Sequence, residues 1–209
     1  MKKNIFFDVD STLVTIEGLD YLSMFKDAYE KVSKLTLDAM SGDLSMREAM
    51  EEKMKVINPS YSDFVKLGEE YIRTLVPGAK EVITQLKDEG HEVWLITGNF
   101  QPAVGILAEF LGIPESNVFT SKVVFDDKGN YNYVDFSHPL ANNNGKAEII
   151  NNSKVESVIM IGDSITDLDT KDVVEKFICF TGVVKRDSVV KQSDYIINDL
   201  REVLNLISS

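Results

Sequence analysis

The chain has 209 residues, of which 44% are hydrophobic and 27% charged, and its 34 acidic and 22 basic side chains give a formal charge of -12. That length exceeds one typical domain and falls short of two, which predicts a core domain carrying a sizeable insertion. The acidic balance, with no basic cluster interleaved with aromatics, argues against nucleic acid as a partner. No apolar run approaches the ~18 residues of a membrane-spanning helix, and Met1-Lys2-Lys3 leads into a strand rather than a secretory signal, so the expected compartment is the cytoplasm. The single cysteine, Cys179 in "KFICF", reads as a buried strand residue and not as a nucleophile.

In chain order, Asn4-Ile5-Phe6-Phe7 is an unbroken apolar run, the pattern of a strand covered on both faces. It ends abruptly in Asp8 and Asp10, which in extended backbone would leave the same side of the strand and repel unless a cation sits between them. From about Leu19 to Leu75 the spacing is helical throughout, punctuated at Gly42-Asp43 and Asn58-Pro59-Ser60, with Ser60 a candidate N-cap. This stretch predicts a helical bundle inserted over residues 15–75, leaving 1–14 and 76–209 as the core.

Beyond Val76-Pro77-Gly78 the pattern alternates. Helix "GAKEVITQLKDEG" precedes strand "HEVWLIT", helix "QPAVGILAEFLG" and strand-like "VFTSKVVF"; "DDKGNYNYVDF" has the turn chemistry of a hairpin. Helix "GKAEIINN", strand "ESVIMIGD", strand "KFICFTG", a helix from about Arg186, strand "SDYIIND" and a final helix complete the chain. Alternating strands and helices predict an α/β fold: a doubly wound, mostly parallel sheet with helices on both faces, bearing the helical insertion and a short β-hairpin insertion.

In such sheets sites form beyond the carboxyl ends of the strands. Asp8-Val9-Asp10-Ser11-Thr12, Thr97-Gly98-Asn99 and Gly162-Asp163 with Asp167 all fall there, and Lys146 opens a helix just after Asn144-Gly145. Asp8, Asp10, Asp163 and Asp167 at neighbouring strand ends need a cation, and hard oxygen ligands suit Mg²⁺. Lys146, the Thr97 hydroxyl and the N–H groups of the glycine turns make a cradle for anionic oxygens.

These residues, in this order, resemble the motifs of the haloacid dehalogenase superfamily of phosphatases: Asp-x-Asp-x-Thr, a strand ending in Ser or Thr, a Lys, then Gly-Asp with a further Asp. Within it the likeness is greatest to the phosphoserine phosphatase family, whose first motif is similar to "DVDST" and whose cap domain and hairpin occupy the places of the two insertions. The resemblance implies Mg²⁺-dependent hydrolysis of a small phosphorylated metabolite by a monomer or homodimer. Asp8 would be the nucleophile, Asp10 the acid and base, Thr97 and Lys146 the phosphoryl partners. Asp8, Asp10 and Asp163 would ligate the metal, Asp10 through its main-chain carbonyl, and Asp167 would ligate it or order its water shell. Glu17, Met40, Met46, Lys53, Thr97, Gly98, Asn99 and Thr166 would line the substrate site.

Two positions depart from the family pattern. Lys53 stands where the family has an arginine that grips a carboxylate as a fork, which a point charge does not reproduce. Asn99 stands where it has glycine. Both motivate a second reading, a phosphatase or phosphotransferase for another small phosphomonoester. A third reading is a receiver-like phosphorylation switch, which the large insertion and the second Asp of the pair disfavour. Blander readings are that Asp163 and Asp167 cap a helix, that His91 and His138 lie at the surface without metal-ligand spacing, and that Trp94 is sheet packing.

Overall fold

The computed structural model describes residues 2–41 and 44–207, with the side chains of Leu37, Ala39, Met40, Ser41 and Met46 outside that description. The turn expected at Gly42-Asp43 and the side-chain roles expected for Met40 and Met46 therefore lie outside the described residues.

Strand β1 (Asn4–Phe7) is followed by helices α1 (Gly18–Met24), α2 (Tyr29–Ser41), α3 (Met46–Ile57) and α4 (Tyr61–Arg73) before the next strand begins. Ser45 and Ser60 cap α3 and α4 with reciprocal bonds to Glu48 and Asp63, and Asn58 takes the left-handed conformation that ends α3. The chain leaves and rejoins the sheet side by side: Val14 and Leu75 form an antiparallel bridge, and the Thr15 N–H donates to the Thr74 carbonyl at 2.8 Å.

Then come α5 (Ala79–Asp88), β2 (Glu92–Phe100), α6 (Gln101–Phe110), β3 (Val118–Ser121), β4 (Val123–Phe125), β5 (Tyr131–Val134), α7 (Gly145–Ser153), β6 (Val158–Gly162) and α8 (Ile165–Leu168). The chain closes with β7 (Lys176–Phe180), α9 (Asp187–Val190), β8 (Tyr195–Ile197) and α10 (Val203–Ile207). Six strands form one sheet in the order β3-β2-β1-β6-β7-β8, and every neighbouring pair in it is parallel. β1 has its two successors on opposite sides, β2 and then β6, so the winding direction reverses at β1.

Side chains alternate along the strands into two cores. Ile5, Phe7, Leu95, Ile159 and Ile161 pack on one face with Val82, Ala103 and Val203 from the helices. Phe6, Ile96, Met160, Phe177 and Cys179 pack on the other with Ile150, Leu168 and Val189. Cys179 and Trp94 are sheet residues, as the sequence implies. The rings of Trp94, Phe6 and Phe119 lie nearly parallel in mutual contact, with centroid separations of 5.3, 5.9 and 6.3 Å, and Trp94 donates to Asn4 at 3.0 Å. Leu22, Met54, Phe64 and Leu67 from the helical segment belong to the first of these cores, so the insertion and the sheet share one apolar interior.

Two expectations are modified. "VFTSKVVF" is not one strand: Val118–Ser121 pairs with β2, whereas Val123–Phe125 turns away to pair antiparallel with β5. The resulting hairpin reaches the helical segment, where Phe125 meets Tyr61 and Phe64 edge-on and the Tyr61 N–H donates to the Gly129 carbonyl at 2.8 Å. β2 also does not stop at Thr97 but runs on through an irregularity to Phe100, which places Gly98 and Asn99 on strand backbone.

Phe6 is fully buried and touches both other rings of the cluster. Phe6→Ala is expected to lower unfolding free energy by about 3–5 kcal/mol, read from urea midpoints at unchanged slope. A loss below about 1 kcal/mol would show that this face of the sheet does not depend on the cluster.

Candidate active site

β1, β2 and β6 are adjacent and parallel, so their carboxyl ends open on the same edge of the sheet, and this edge lies at the reversal of winding. β1 ends at Phe7, and the Asp8 N–H still bonds the Ile161 carbonyl of β6 at 3.0 Å. The backbone then folds over Val9, whose carbonyl accepts from the N–H groups of Thr12, Leu13 and Val14, and Ser11 adopts a positive φ of 55°. Asp8 and Asp10 therefore do not sit on one face of an extended strand, and their side chains go to different partners.

Asp8 faces Lys146, which α7 carries in its first turn; the ammonium lies 2.7 Å from Asp8 Oδ1 and 2.5 Å from Asp167 Oδ1. All three side chains are almost wholly buried. Burial alone favours a neutral amine, but the charges of Asp167 and Asp8 outweigh it and hold Lys146 above its ordinary value. Desolvation, with Asp167 beside it, pushes Asp8 well above the usual carboxylate range against the opposing pull of Lys146.

Asp163, at the end of β6, accepts from the Thr12 hydroxyl at 3.1 Å through Oδ1. Its Oδ2 has no hydrogen-bond partner, although the Arg186 guanidinium is 3.1 Å away in a geometry that makes only a charge contact. Burial and Asp167 raise its pKa to about 7. Asp167 is held from behind by the N–H groups of Asp163 and Ser164 and by the Ser164 hydroxyl at 2.6 Å. It thus completes, from the third helical position, the capping box that Ser164 opens for α8, and it is at the same time one of the buried acids at this edge. Gly162 makes room for it, because a Cβ there would stand 2.2 Å from the Asp167 Cγ.

Ligand oxygens from Asp8, Asp163 and Asp167 lie within 4.8 Å of one another. Buried hard oxygens, one of them unsatisfied, fit a divalent cation of the Mg²⁺ or Ca²⁺ type. The Asp10 carboxylate is not part of this group. It accepts from the Tyr71 hydroxyl at 2.6 Å, the Gly18 N–H at 2.7 Å and the Asn99 amide at 3.0 Å. Burial and the nearby Glu17 raise its pKa to about 7, and these three donors oppose the rise.

Thr97 is buried on β2, and its hydroxyl oxygen accepts from the Asn99 N–H at 3.1 Å. Gly98, Lys146 and Thr166 meet around a cavity of about 70 Å³ that Met50 of α3 and Asn142 also line. Glu17 is exposed, accepts from the Ser11 hydroxyl at 2.7 Å and lies 3.6 Å from Arg186. Lys53 is largely buried, which lowers its pKa against the opposing charges of Asp20 and Glu17; it faces the same acidic side of the site. Arg47, by contrast, stacks its guanidinium 4.6 Å over the Phe136 ring.

Tyr71 and Arg186 belong to the site and had no signal in the sequence. Tyr71 reads as an ordinary member of an amphipathic helix, and Arg186 as a surface charge after Lys185.

The raised carboxyls of Asp8, Asp10 and Asp163 bind protons in the fold that the unfolded chain releases from pH 3.8 upward. Their contribution to stability is therefore present at acidic pH and is lost as pH rises toward about 7. Once metal has been stripped with chelator and the chelator removed, a divalent cation added at about pH 7.5 should raise the thermal midpoint more than at about pH 5. Asp163→Asn should remove most of that difference; a cation effect that is the same at both pH values would count against the acidic group as its site.

Residues 5–170 match the haloacid dehalogenase-like hydrolase family. The chain is 34% identical over 203 residues to a phosphoserine phosphatase of Drosophila melanogaster, covering 95% of this chain and 75% of that one. A phosphoserine phosphohydrolase-like protein from Francisella tularensis superposes with a TM-score of 0.87 at 26% identity, over 98% of this chain and 99% of that one. A phospho-aspartyl intermediate analogue of phosphoserine phosphatase superposes with a TM-score of 0.83 at 28% identity, over 98% of each chain.

Proposed function

We propose, for a chain that belongs to the haloacid dehalogenase-like hydrolase family and is a phosphoric monoester hydrolase, that it cleaves O-phosphoserine to serine and phosphate through a phosphoaspartate on Asp8. The observation that carries the reading is the contrast between two neighbouring carboxylates. Asp8 is paired with the Lys146 ammonium beside two further acids, while Asp10 sits apart among the neutral donors Tyr71, Asn99 and the Gly18 N–H. A nucleophile and an acid–base group need such different surroundings.

In the first step an Asp8 oxygen attacks phosphorus, the bond from phosphorus to the serine oxygen breaks, and Asp10 gives its proton to that leaving oxygen. In the second, water attacks the phosphoaspartate, Asp10 takes the proton, and the Asp8 carboxylate and phosphate separate. Lys146 and the Thr97 hydroxyl hold the phosphoryl oxygens. Asp8, Asp163 and Asp167 would hold a divalent cation, which we read as Mg²⁺, and when bound it would keep these carboxylates ionised and offset charge on the phosphoryl group.

Residues 15–75 act as the cap that encloses the substrate over a core of 1–14 and 76–209, a division that the bridge between Val14 and Leu75 supports. Glu17 receives the substrate ammonium and Lys53 its carboxylate; the burial of Lys53 beside Glu17 and Asp20 favours that placement. Gly98 and Thr166 border the phosphoryl end.

Asp8→Asn is expected to abolish phosphate release from O-phosphoserine while circular dichroism still shows the wild-type fold. Release at the wild-type rate would remove Asp8 from the mechanism. In a panel of small phosphomonoesters, phosphoserine should have the highest kcat/KM, and another ester ranking far above it would refute the substrate assignment. Lys53→Ala should raise KM for phosphoserine about tenfold and leave that for phosphoethanolamine, which lacks the carboxylate, within about twofold. Equal changes for the two esters would remove Lys53 from carboxylate recognition.

A further inference from the structure

Asp10 is enclosed by groups from three separate elements. Tyr71 on α4 is wholly buried, and its hydroxyl donates to Asp10 Oδ1 at 2.6 Å. Asn99 near the end of β2 donates through Nδ2 to Asp10 Oδ2 at 3.0 Å and to the Tyr71 oxygen at 2.7 Å. Gly18, the first residue of α1, donates its N–H to Oδ2 at 2.7 Å.

The polarity of this triangle is fixed from outside. Asn99 Oδ1 accepts from the Phe100 N–H at 3.0 Å, which sets the amide with its nitrogen toward Asp10 and Tyr71. That nitrogen fills an acceptor position on the phenol oxygen, so the phenol's single hydrogen goes to Asp10. Glycine at position 18 is a condition of the arrangement. A Cβ there would stand 2.3 Å from the Tyr71 hydroxyl and 2.4 Å from Asn99 Nδ2.

We propose that Tyr71 and Asn99 are positioning residues that orient the Asp10 carboxyl group for proton delivery to the leaving oxygen. Asn99, expected from the sequence to line the substrate site, turns its amide toward Asp10. The inference rests on the role assigned to Asp10 under the proposed function. A carboxyl group free to rotate spends most of its time misaligned for the transfer, and general acid catalysis by an oriented group contributes on the order of 10²–10⁴ in rate.

The test is single-turnover phosphorylation of the Mg²⁺-loaded protein by two esters. The alkyl ester O-phosphoserine expels an alkoxide that needs the proton; p-nitrophenyl phosphate expels a stable phenolate that does not. Asn99→Gly should slow the phosphoserine step by on the order of 10², and Tyr71→Phe by about tenfold, with p-nitrophenyl phosphate slowed by no more than about threefold in either. Gly18→Ala, which displaces both polar atoms by another route, should give the same pattern, and the Tyr71 and Asn99 effects should fall short of additive because they act on one group.

Equal slowing of both esters, or no slowing of either, overturns the proposal. Asp10→Asn is the control for the reading beneath it. If that variant shows no dependence on the leaving group, the acid role of Asp10 fails; if it does while the three other variants do not, only the positioning inference fails.

Discussion

Lys146 places one buried ammonium 2.7 Å from Asp8 and 2.5 Å from Asp167, and Arg186 places a guanidinium 3.1 Å from Asp163. Two cations against three carboxylates leave one uncompensated negative charge in a region where water reaches little of it. Burial first, and the neighbouring charge of Asp167 after it, hold Asp8 and Asp163 above the usual carboxylate range. Removing one member of a buried ion pair typically costs about 3–5 kcal/mol, because the partner charge stays behind. The fold bears this arrangement because each acid is fixed by backbone that the sheet holds in place. Asp8 follows a strand buried on both faces, Asp163 ends another, and Asp167 is clamped in the first turn of α8. The deficit of positive charge is also what makes the edge of the sheet receptive to a divalent cation.

Asp10 lies two residues from Asp8 and has a different electrostatic life. Lys146 does not touch it; its donors are a phenol, an amide and a main-chain N–H, all neutral. Desolvation and the charge of Glu17 raise its pKa to about 7 against the pull of these neutral donors. The turn over Val9 produces this separation. Had the chain continued extended past Phe7, both carboxylates would have entered the same pocket and shared the same cation.

The strand cores and the acids at their ends were legible because they depend on local pattern: "NIFF" before Asp8 and "VIMIG" before Asp163 are apolar runs that stop at a charge. The N-cap at Ser60 has the same local basis. What escaped depends on contacts distant in sequence. Tyr71 is 61 residues from Asp10 and Asn99 is 89, and nothing in the vicinity of either residue announces the partner. The division of "VFTSKVVF" escaped for a related reason. Either half has the propensity of a strand, and only the competition between β2 and β5 for pairing decides where it breaks.

The polar triangle around Asp10 also couples the helical segment to the sheet. Two of its members, Gly18 and Tyr71, come from α1 and α4, and the third, Asn99, comes from β2. The hairpin adds a second tie, with Phe125 against Tyr61 and Phe64 on α4. Any displacement of α4 from the sheet that frees access to the site must withdraw the Tyr71 hydroxyl from Asp10 and leave Asn99 with one partner fewer. Under the proposed mechanism, seating the helices over a substrate would orient Asp10 as it encloses the site, while Asp8, Lys146 and Asp167, held by the sheet and its own helices, would keep their places either way.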